Sequence, residues 1–307
     1  MIRPTPLVPL AALLLAAAAL APAPLEAQRR ERDRDRERDR DRSRRMTVTP
    51  SRMAMAVDRD VSISIESANA AVRVYAWDKD SIVATNVSAD DVNGDARSVR
   101  IEQDVFADEG MEVRVPRRAS VSIECQNGAV EVSGVTGDVR VEAVNGRIRV
   151  DGSPRSVALE GVNGSVEADV ESERVTAETV NGQVVIRGKV EDLEASTTTG
   201  ELQVGLLADA RRVKLETVNG EIGFKGTMAP GGLLEAESHN GGITLRLPAD
   251  MPVAFMAYTE QGEIRNDLWS DQPKRVDQRG PWKVTRGRGG AVVKVRTFMG
   301  EVTLGPR

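Results

Sequence analysis

The segment VEAVNGRIRV, residues 141–150, decides the fold. Apolar residues alternate with polar ones on both sides of Asn145-Gly146, and Asn-Gly is the strongest short signal for a reversal between two β-strands. The same pattern recurs with glycine after Asn127, Asn145, Asn163, Asn181, Thr199, Asn219, Asn240 and Gln261, in steps of 18, 18, 18, 18, 20, 21 and 21 residues. A period this regular indicates stacked structural repeats.

Within each repeat, the apolar residues fall at fixed distances from the corner. In the repeat around Asn145 they are Val139 and Val141 before the corner, a small Ala143, and then Ile148 and Val150 after it. Alternation with a period of two places all of them on one face of a strand. The pattern predicts a core of small aliphatic layers, in keeping with an aromatic content of only 3%.

Two architectures fit this pattern. If every corner were a hairpin, the chain would form an antiparallel meander, and no helical segment is available to cover its apolar face. If each repeat is one coil of a solenoid, the apolar positions stack on their counterparts and the inward face covers itself. The constant period favours the second, so we expect an all-β, parallel β-solenoid (β-helix-like) with coils of about 18–21 residues.

The N-terminal region has the features of an export signal followed by a spacer. Residues 1–27 contain one Arg3, an apolar run and small residues up to Ala27, which predicts a secretory signal peptide. The alternative is that the apolar run is kept and anchors an uncleaved protein. No cysteine follows the run, so a lipoprotein anchor is not expected, and no other segment is long and apolar enough to span a membrane. Residues 28–45 alternate arginine with acids and predict a disordered, solvated linker.

The charge is unevenly distributed along the chain. The 307 residues carry a net charge of −5, whereas residues 29–45, with ten arginines and six acids, carry +4. The leader is neutral, so residues 46–307 carry −9. An acidic body argues against nucleic acid as a partner. The basic segment leaves a second interpretation open, in which it contacts an anionic polymer at the cell surface.

The regular repeats occupy only part of the chain. Residues 46–118 are rich in predicted strands but do not follow the period, apart from residues 61–77 with Asn69-Ala70 at a corner, and we expect them to form an N-terminal cap. Residues 119–307 form the solenoid, with an insertion around 266–290. This insertion contains Trp269 and Trp282, and its irregularity makes it a candidate contact surface.

Several segments resemble a known family. They are AVRVYAWDKD (residues 71–80), MEVRVPRRASVSIE (111–124), the repeated V-x-x-x-NG-x-V-x-V corners, and GGAVVKVRTFMGEVTL (289–304). Over roughly residues 57–305 the chain resembles secreted bacterial β-strand-repeat proteins known as putative adhesins, a domain of unknown function. The resemblance implies a β-helix-like fold and an envelope or surface role. The family usually has Thr-x-Ser-Gly at the corner, whereas here Thr or Ala, Val, Asn and Gly predominate.

The sequence offers little for catalysis. His239 is the sole histidine and lies at a corner, where an exposed turn residue is expected. Cys125 is the sole cysteine, which excludes an intramolecular disulfide, and its inward position predicts a buried, inert thiol. No nucleophile elbow, phosphate loop or metal-binding cluster is present, so we expect no catalytic, cofactor-binding or metal site and no cofactor.

One outward position carries the same charge in most repeats. Three residues before the corner stand Glu124, Glu142, Glu160, Glu178, Glu216 and Glu237. Neighbouring coils lie about 4.8 Å apart, and two carboxylates at that distance repel by roughly 0.9 kcal/mol even in water. We expect Arg140, Arg147, Arg149 and Lys214 to offset this repulsion. The alternative is that the row collects Ca²⁺, which binds several carboxylate oxygens.

These features predict a secreted or periplasmic, non-enzymatic β-repeat protein of the bacterial cell envelope. The first hypothesis is a putative adhesin or surface-binding module whose partner is a surface polymer. The second is an envelope accessory or sensor domain that binds a partner protein of its own cell. The third is a polysaccharide-active β-helix enzyme, because acidic and basic residues scattered along a solenoid could cleave acidic sugars.

Overall fold

The computed structural model describes residues 52–103, 110–270 and 281–307. All of them belong to one unit, Pro50–Arg307. The predicted signal peptide and the Arg-rich linker lie outside the described residues. The described parts consist of β-strands and one 3-10 turn, Ala89–Asp91, and they contain no helix long and apolar enough to cross a membrane.

The described residues form 22 β-strands. They are β1 (Arg52–Ala56), β2 (Ser62–Ser67), β3 (Val72–Trp77), β4 (Ser81–Thr85), β5 (Val92–Gly94), β6 (Ser98–Gln103), β7 (Met111–Pro116), β8 (Ser120–Asn127), β9 (Val130–Ser133), β10 (Asp138–Asn145), β11 (Ile148–Gly152), β12 (Ser156–Asn163), β13 (Val166–Asn181), β14 (Val184–Thr199), β15 (Leu202–Asn219), β16 (Ile222–Asn240), β17 (Ile243–Leu247), β18 (Val253–Gln261), β19 (Ile264–Asn266), β20 (Trp282–Arg286), β21 (Ala291–Met299) and β22 (Val302–Pro306).

Each repeat forms one coil with a strand on either side of its Asn-Gly corner. The strand before the corner pairs in parallel with its counterparts in the adjacent coils, as Val141 does with Ile123 and Leu159. The strand after the corner does the same, and Ile148 pairs with Val130 and Val166. This parallel register confirms the β-solenoid and excludes the antiparallel meander.

The inward positions form a continuous apolar core. Val139, Val141, Ile148 and Val150 are at most 2% exposed, and their counterparts in the other coils are buried with them. Because the strands on the two sides of a coil face each other, each layer of Val, Ile, Leu and Ala packs on the layers above and below it. The inward face therefore needs no covering helix.

The corner glycines hold neighbouring coils at close approach. The amide of Gly146 donates to the carbonyl of Asn163 at 3.0 Å, and the side-chain amide of Asn163 donates back to Asn145 Oδ1 at 3.1 Å. Gly146 has a φ of 154°. A Cβ on Gly146 or Gly164 would overlap the carbonyl oxygen of the preceding corner glycine. The corner thus requires glycine for clearance between coils as well as for its backbone conformation.

The order of the coils departs from the sequence at both ends. The coil of β2 and β3 lies between that of β6 and β7 and that of β8 and β9. At the other end, β21 and β22 insert between the coil of β16 and β17 and the coil of β18 and β19. Strands β6 and β7, which the sequence pattern leaves out of the period, therefore stack in register as the outermost parallel coil at the N-terminal end.

The insertion near residue 270 contributes to the C-terminal end of the core. Strand β20 pairs antiparallel with β18. The rings of Trp269 and Trp282 meet Phe255 edge-on, with centroids 5.9 and 5.4 Å away, and both tryptophans are half-buried. Both rings therefore pack on the last coil, and the expectation that the insertion is a contact surface stays a prediction. Residues 271–280 of the insertion lie outside the described part.

The clearance at the corner gives a direct test of the stacking. We expect Gly164→Ala to lower the free energy of unfolding by at least about 2 kcal/mol, because the added Cβ meets backbone rather than a mobile side chain. Chemical denaturation followed by circular dichroism measures this change.

Gly205→Ala is the matched control, because a Cβ at Gly205 meets nothing within 4 Å and its φ is not in the left-handed region. It should leave stability unchanged or raise it slightly. Equal effects of the two substitutions would contradict the close approach of the corners.

Candidate binding groove

A groove of 1230 Å³ runs across the coils beside the Asn-Gly corners. It is lined by the third, second and first residues before each corner, from the coil of β2 and β3 to the coil of β18 and β19. In the repeat of Asn145 these are Glu142, Ala143 and Val144. Every coil contributes the same three positions, and the four coils of Asn145, Asn163, Asn181 and Asn219 carry Glu and Val at the outer two of them. Other coils have Ala68, Gln126 or Thr198 in place of the valine.

One wall is a row of glutamates, which we call the carboxylate row. It comprises Glu66, Glu124, Glu142, Glu160, Glu178, Glu216 and Glu237. Their Cα atoms are paired coil by coil, so Glu142 lies between Glu124 and Glu160. Ser196 interrupts the row once, and Arg296 replaces the glutamate beside Glu237. Five consecutive coils, from Glu66 to Glu178, therefore present a carboxylate.

Some of this charge is neutralised by cations on the same sheet. Arg140 contacts Glu142 at 2.7 Å and Glu160 at 2.8 Å, and Lys214 contacts Glu216 at 3.1 Å. Both carboxylates hold the pKa of Arg140 above its ordinary value, with the hydrogen bond to Glu142 as the largest cause. Arg100 forms the corresponding contact with Glu66.

Two of the four cations expected to offset the row do not reach it. Arg147 donates to Ser165 Oγ at 3.1 Å, and Arg149 contacts Asp151 and Glu167 on the strand beyond the corner. Within the described ranges, Glu124, Glu178 and Glu237 have no ion pair. The charge of the carboxylate row is therefore offset only in part.

The row does not form a metal-binding cluster in the described residues, where no group of three His, Cys, Asp or Glu side chains is arranged to hold a metal ion. Each coil contributes one carboxylate to the row, and neighbouring carboxylates are one coil spacing apart. The alternative that the row collects Ca²⁺ stays a prediction.

The opposite wall is a row of exposed valines, which we call the valine row. It comprises Val144, Val162, Val180 and Val218, whose exposed fractions are 44, 40, 43 and 45%. The residues on either side of Val144 pair with those on either side of Val162, so the valines lie side by side. Thr198 occupies the same position in the coil where Ser196 interrupts the carboxylate row.

The floor consists of small side chains, which bond to the corners in the C-terminal half. Thr197 Oγ1 donates to the carbonyl of Gly182 at 3.3 Å, and Thr297 Oγ1 donates to that of Gly241 at 3.0 Å. Both hydroxyls are more than 90% buried. A buried hydroxyl is stabilised by such a partner. Thr217, Ser238 and Thr259 make the same bond, whereas Thr179 Oγ1 is buried without one.

The C-terminal end of the groove has a different chemistry. His239 stacks on Phe298, with ring centroids 4.9 Å apart and an angle of 2° between the planes. Tyr258 donates to Glu260, two residues further along the same strand β18, and this bond raises the pKa of the Tyr258 hydroxyl. Arg296 stands between Glu237 and Tyr258 and ends the carboxylate row.

Comparison with known proteins identifies the family. A family profile, described as Toastrack DUF4097, matches residues 40–305. The chain belongs to the Toastrack family. This confirms the resemblance to adhesin-like domains of unknown function, and it agrees with the observed β-solenoid. A search of functionally curated proteins found no match.

Two solved structures are similar to this Toastrack chain. One is a putative cell adhesion protein from Clostridium sporogenes, with 9% identity over 84% of this chain and 100% of that one, at a TM-score of 0.26. The other is a putative adhesin from Bacteroides fragilis, with 10% identity over 84% of this chain and 98% of that one, at a TM-score of 0.44. Both scores are low, so the family assignment rests on the profile alone.

The residues singled out for chemistry do not come together in this Toastrack fold. His239 is exposed and engaged with Phe298, whereas Cys125 is a buried free thiol far along the stack. The valine row is the feature that sequence reasoning missed. Its signal was available, because valine recurs one residue before four corners at positions where alternation points outward.

The burial of Cys125 predicts that its thiol reacts slowly with labelling reagents. Its side chain is 3% exposed, and burial raises the pKa of the thiol above its ordinary value. The reactive thiolate is therefore scarce at neutral pH. We expect an aromatic disulfide reagent at pH 7.5 to label the folded protein at least about 100-fold more slowly than the protein in denaturant, as absorbance measures. Rapid labelling of the folded chain would contradict a buried thiol.

Proposed function

We propose that this Toastrack chain is an exported, non-catalytic binding module of the cell envelope, of the adhesin type, and that the groove is its binding surface. The observation that supports this most is the repetition of one pair of outward residues, Glu and Val, along a groove that crosses the coils. The fold needs neither residue at these positions for its core. Their recurrence in register is what a surface for an elongated partner requires.

Binding is favoured over catalysis by the chemistry of the groove. General acid-base and nucleophilic catalysis need unlike groups held within hydrogen-bond reach of each other. Along the described groove, neighbouring coils instead repeat the same side chain, and its sole histidine stacks on a phenylalanine. The same repetition gives no reason to favour cleavage of polysaccharides.

Export is the second part of the proposal. It is supported by the apolar leader, which ends in small residues up to Ala27. With the full chain expressed in a bacterial host, we expect the protein in the envelope or medium fraction, with a new N-terminus near residue 28. N-terminal mass spectrometry measures this, and an intact leader on a cytoplasmic product would overturn the proposed export.

The binding role is tested by capture. Purified protein is crosslinked to foreign cells and extracellular polymers, and separately to the envelope fraction of the producing organism. An adhesin-type module should be retained on foreign surfaces or polymers. Recovery of one defined envelope protein, without such retention, would replace the adhesin role with that of an envelope accessory or sensor. Retention on neither would overturn the binding proposal.

A further inference from the structure

We propose that the groove binds an extended polypeptide in which basic and apolar side chains alternate. This inference rests on the proposed binding function and specifies the chemical class of the partner. It draws on the two walls of the groove together, because a carboxylate row alone would attract any cation and a valine row alone any apolar surface.

The width of the groove selects an extended chain. The carboxylate and valine rows are two residues apart on the same strands, which corresponds to about 7 Å. An α-helix is about 10–12 Å across with its side chains and sends them all round its axis, so only a minority of its residues would reach the two rows. An extended backbone is narrow enough, and it sends successive side chains to opposite sides.

The two walls then dictate the alternation. A peptide that runs along the stack directs every second side chain toward the carboxylate row and the others toward the valine row. Lysine or arginine is complementary to Glu124 and Glu178, which lack an ion pair within the described residues. Aliphatic side chains on the other side would cover Val144, Val162 and Val180, each at least 40% exposed.

The length of the row sets the length of the partner. From Glu66 to Glu237 there are seven coil steps, or about 34 Å, which an extended chain covers with about ten residues. Side chains on one side of that chain repeat about every 6.7 Å, whereas the carboxylates repeat about every 4.8 Å. Because no fixed one-to-one match is possible, the groove should select the charge pattern rather than one sequence.

A polypeptide is favoured over a cationic polysaccharide by the lining of the groove. Protein sites for sugars commonly place aromatic rings against the faces of the sugar units. In the described groove, aromatic side chains lie only at the C-terminal end, at Tyr258 and in the His239 and Phe298 stack. The walls along the rest of its length are mainly carboxylate and aliphatic, with Gln126, Ser196 and Thr198 as uncharged polar positions.

The test is a titration of the full chain with fluorescent peptides of about ten residues, followed by anisotropy. The probe alternates lysine and valine. One comparison peptide alternates glutamate and valine, and another has the lysines in one block and the valines in a second. We expect the alternating basic peptide to bind with an affinity that falls as salt rises. The acidic peptide should not bind, and the block peptide should bind at least about fivefold more weakly.

Variants assign the binding to the two walls. The double variant Glu124→Gln and Glu178→Gln should weaken binding of the alternating peptide roughly three- to tenfold. Val162→Thr with Val180→Thr should weaken it about threefold, and Thr198 shows that the fold accepts threonine at this position. Glu221→Gln and Val292→Thr, exposed residues outside the groove, are the matched controls and should bind as the original chain does. Circular dichroism melts verify that each variant is folded.

The outcomes separate this inference from the function on which it rests. Absence of peptide binding, or binding unaffected by both double variants, would overturn the inference. Tighter binding of a glucosamine oligomer of matched charge, lost in the glutamate variant, would assign the groove to a polysaccharide instead. If no peptide binds, but crosslinking still retains a surface partner with the original chain and less of it with the glutamate variant, the proposed binding function stands and only the polypeptide class fails.

Discussion

The structure depends on how closely one corner approaches the next. A glycine amide donates to the corner residue of the following coil, and in most of the regular repeats an asparagine side chain donates in the opposite direction. The two bonds fix the spacing and the lateral register of adjacent coils at once. Any side chain at the glycine would push adjacent coils apart. The stacking of all other positions therefore depends on glycine at the corner.

Stacking in strict register has an electrostatic cost. It brings identical charges to one coil spacing from each other, and the molecule offsets this with cross-coil ion pairs such as Lys294 with Glu235 and Lys189 with Glu171, both at 2.8 Å. Such exposed pairs each contribute little to stability. Along the groove, Glu124, Glu178 and Glu237 have no such pair among the described residues.

The sequence predicted the coil well and the order of the coils poorly. The period, the inward positions around Val141 and Ile148 and the parallel register all follow from alternation and from the fixed step between corners. Alternation, however, carries no information about which coil neighbours which. The insertion of β21 and β22 between earlier coils, and the in-register stacking of β6 and β7, depend on contacts between distant segments. For the same reason, the pattern did not show that Glu66 extends the carboxylate row.

The candidate site, too, was predicted from the sequence only in part. The glutamates were visible because their position repeats, and two of their four expected cations, Arg140 and Lys214, were placed correctly. Arg147 and Arg149 were misplaced because the corner turns the chain onto a second strand, where their partners differ. The glutamates and valines form the two sides of one groove. This depends on how the outer face is packed, which sequence spacing alone does not describe.

The inserted coils at the two ends have a consequence for how such a protein changes over time. Both end arrangements are closed by strands that return from elsewhere in the chain, whereas the coils between residues 119 and 247 are simply consecutive. A duplication or loss of one 18-residue unit in that stretch would leave both ends intact and alter the groove by one step. The number of repeats would then set the length of the groove, and with it the length of the extended partner that we propose it binds.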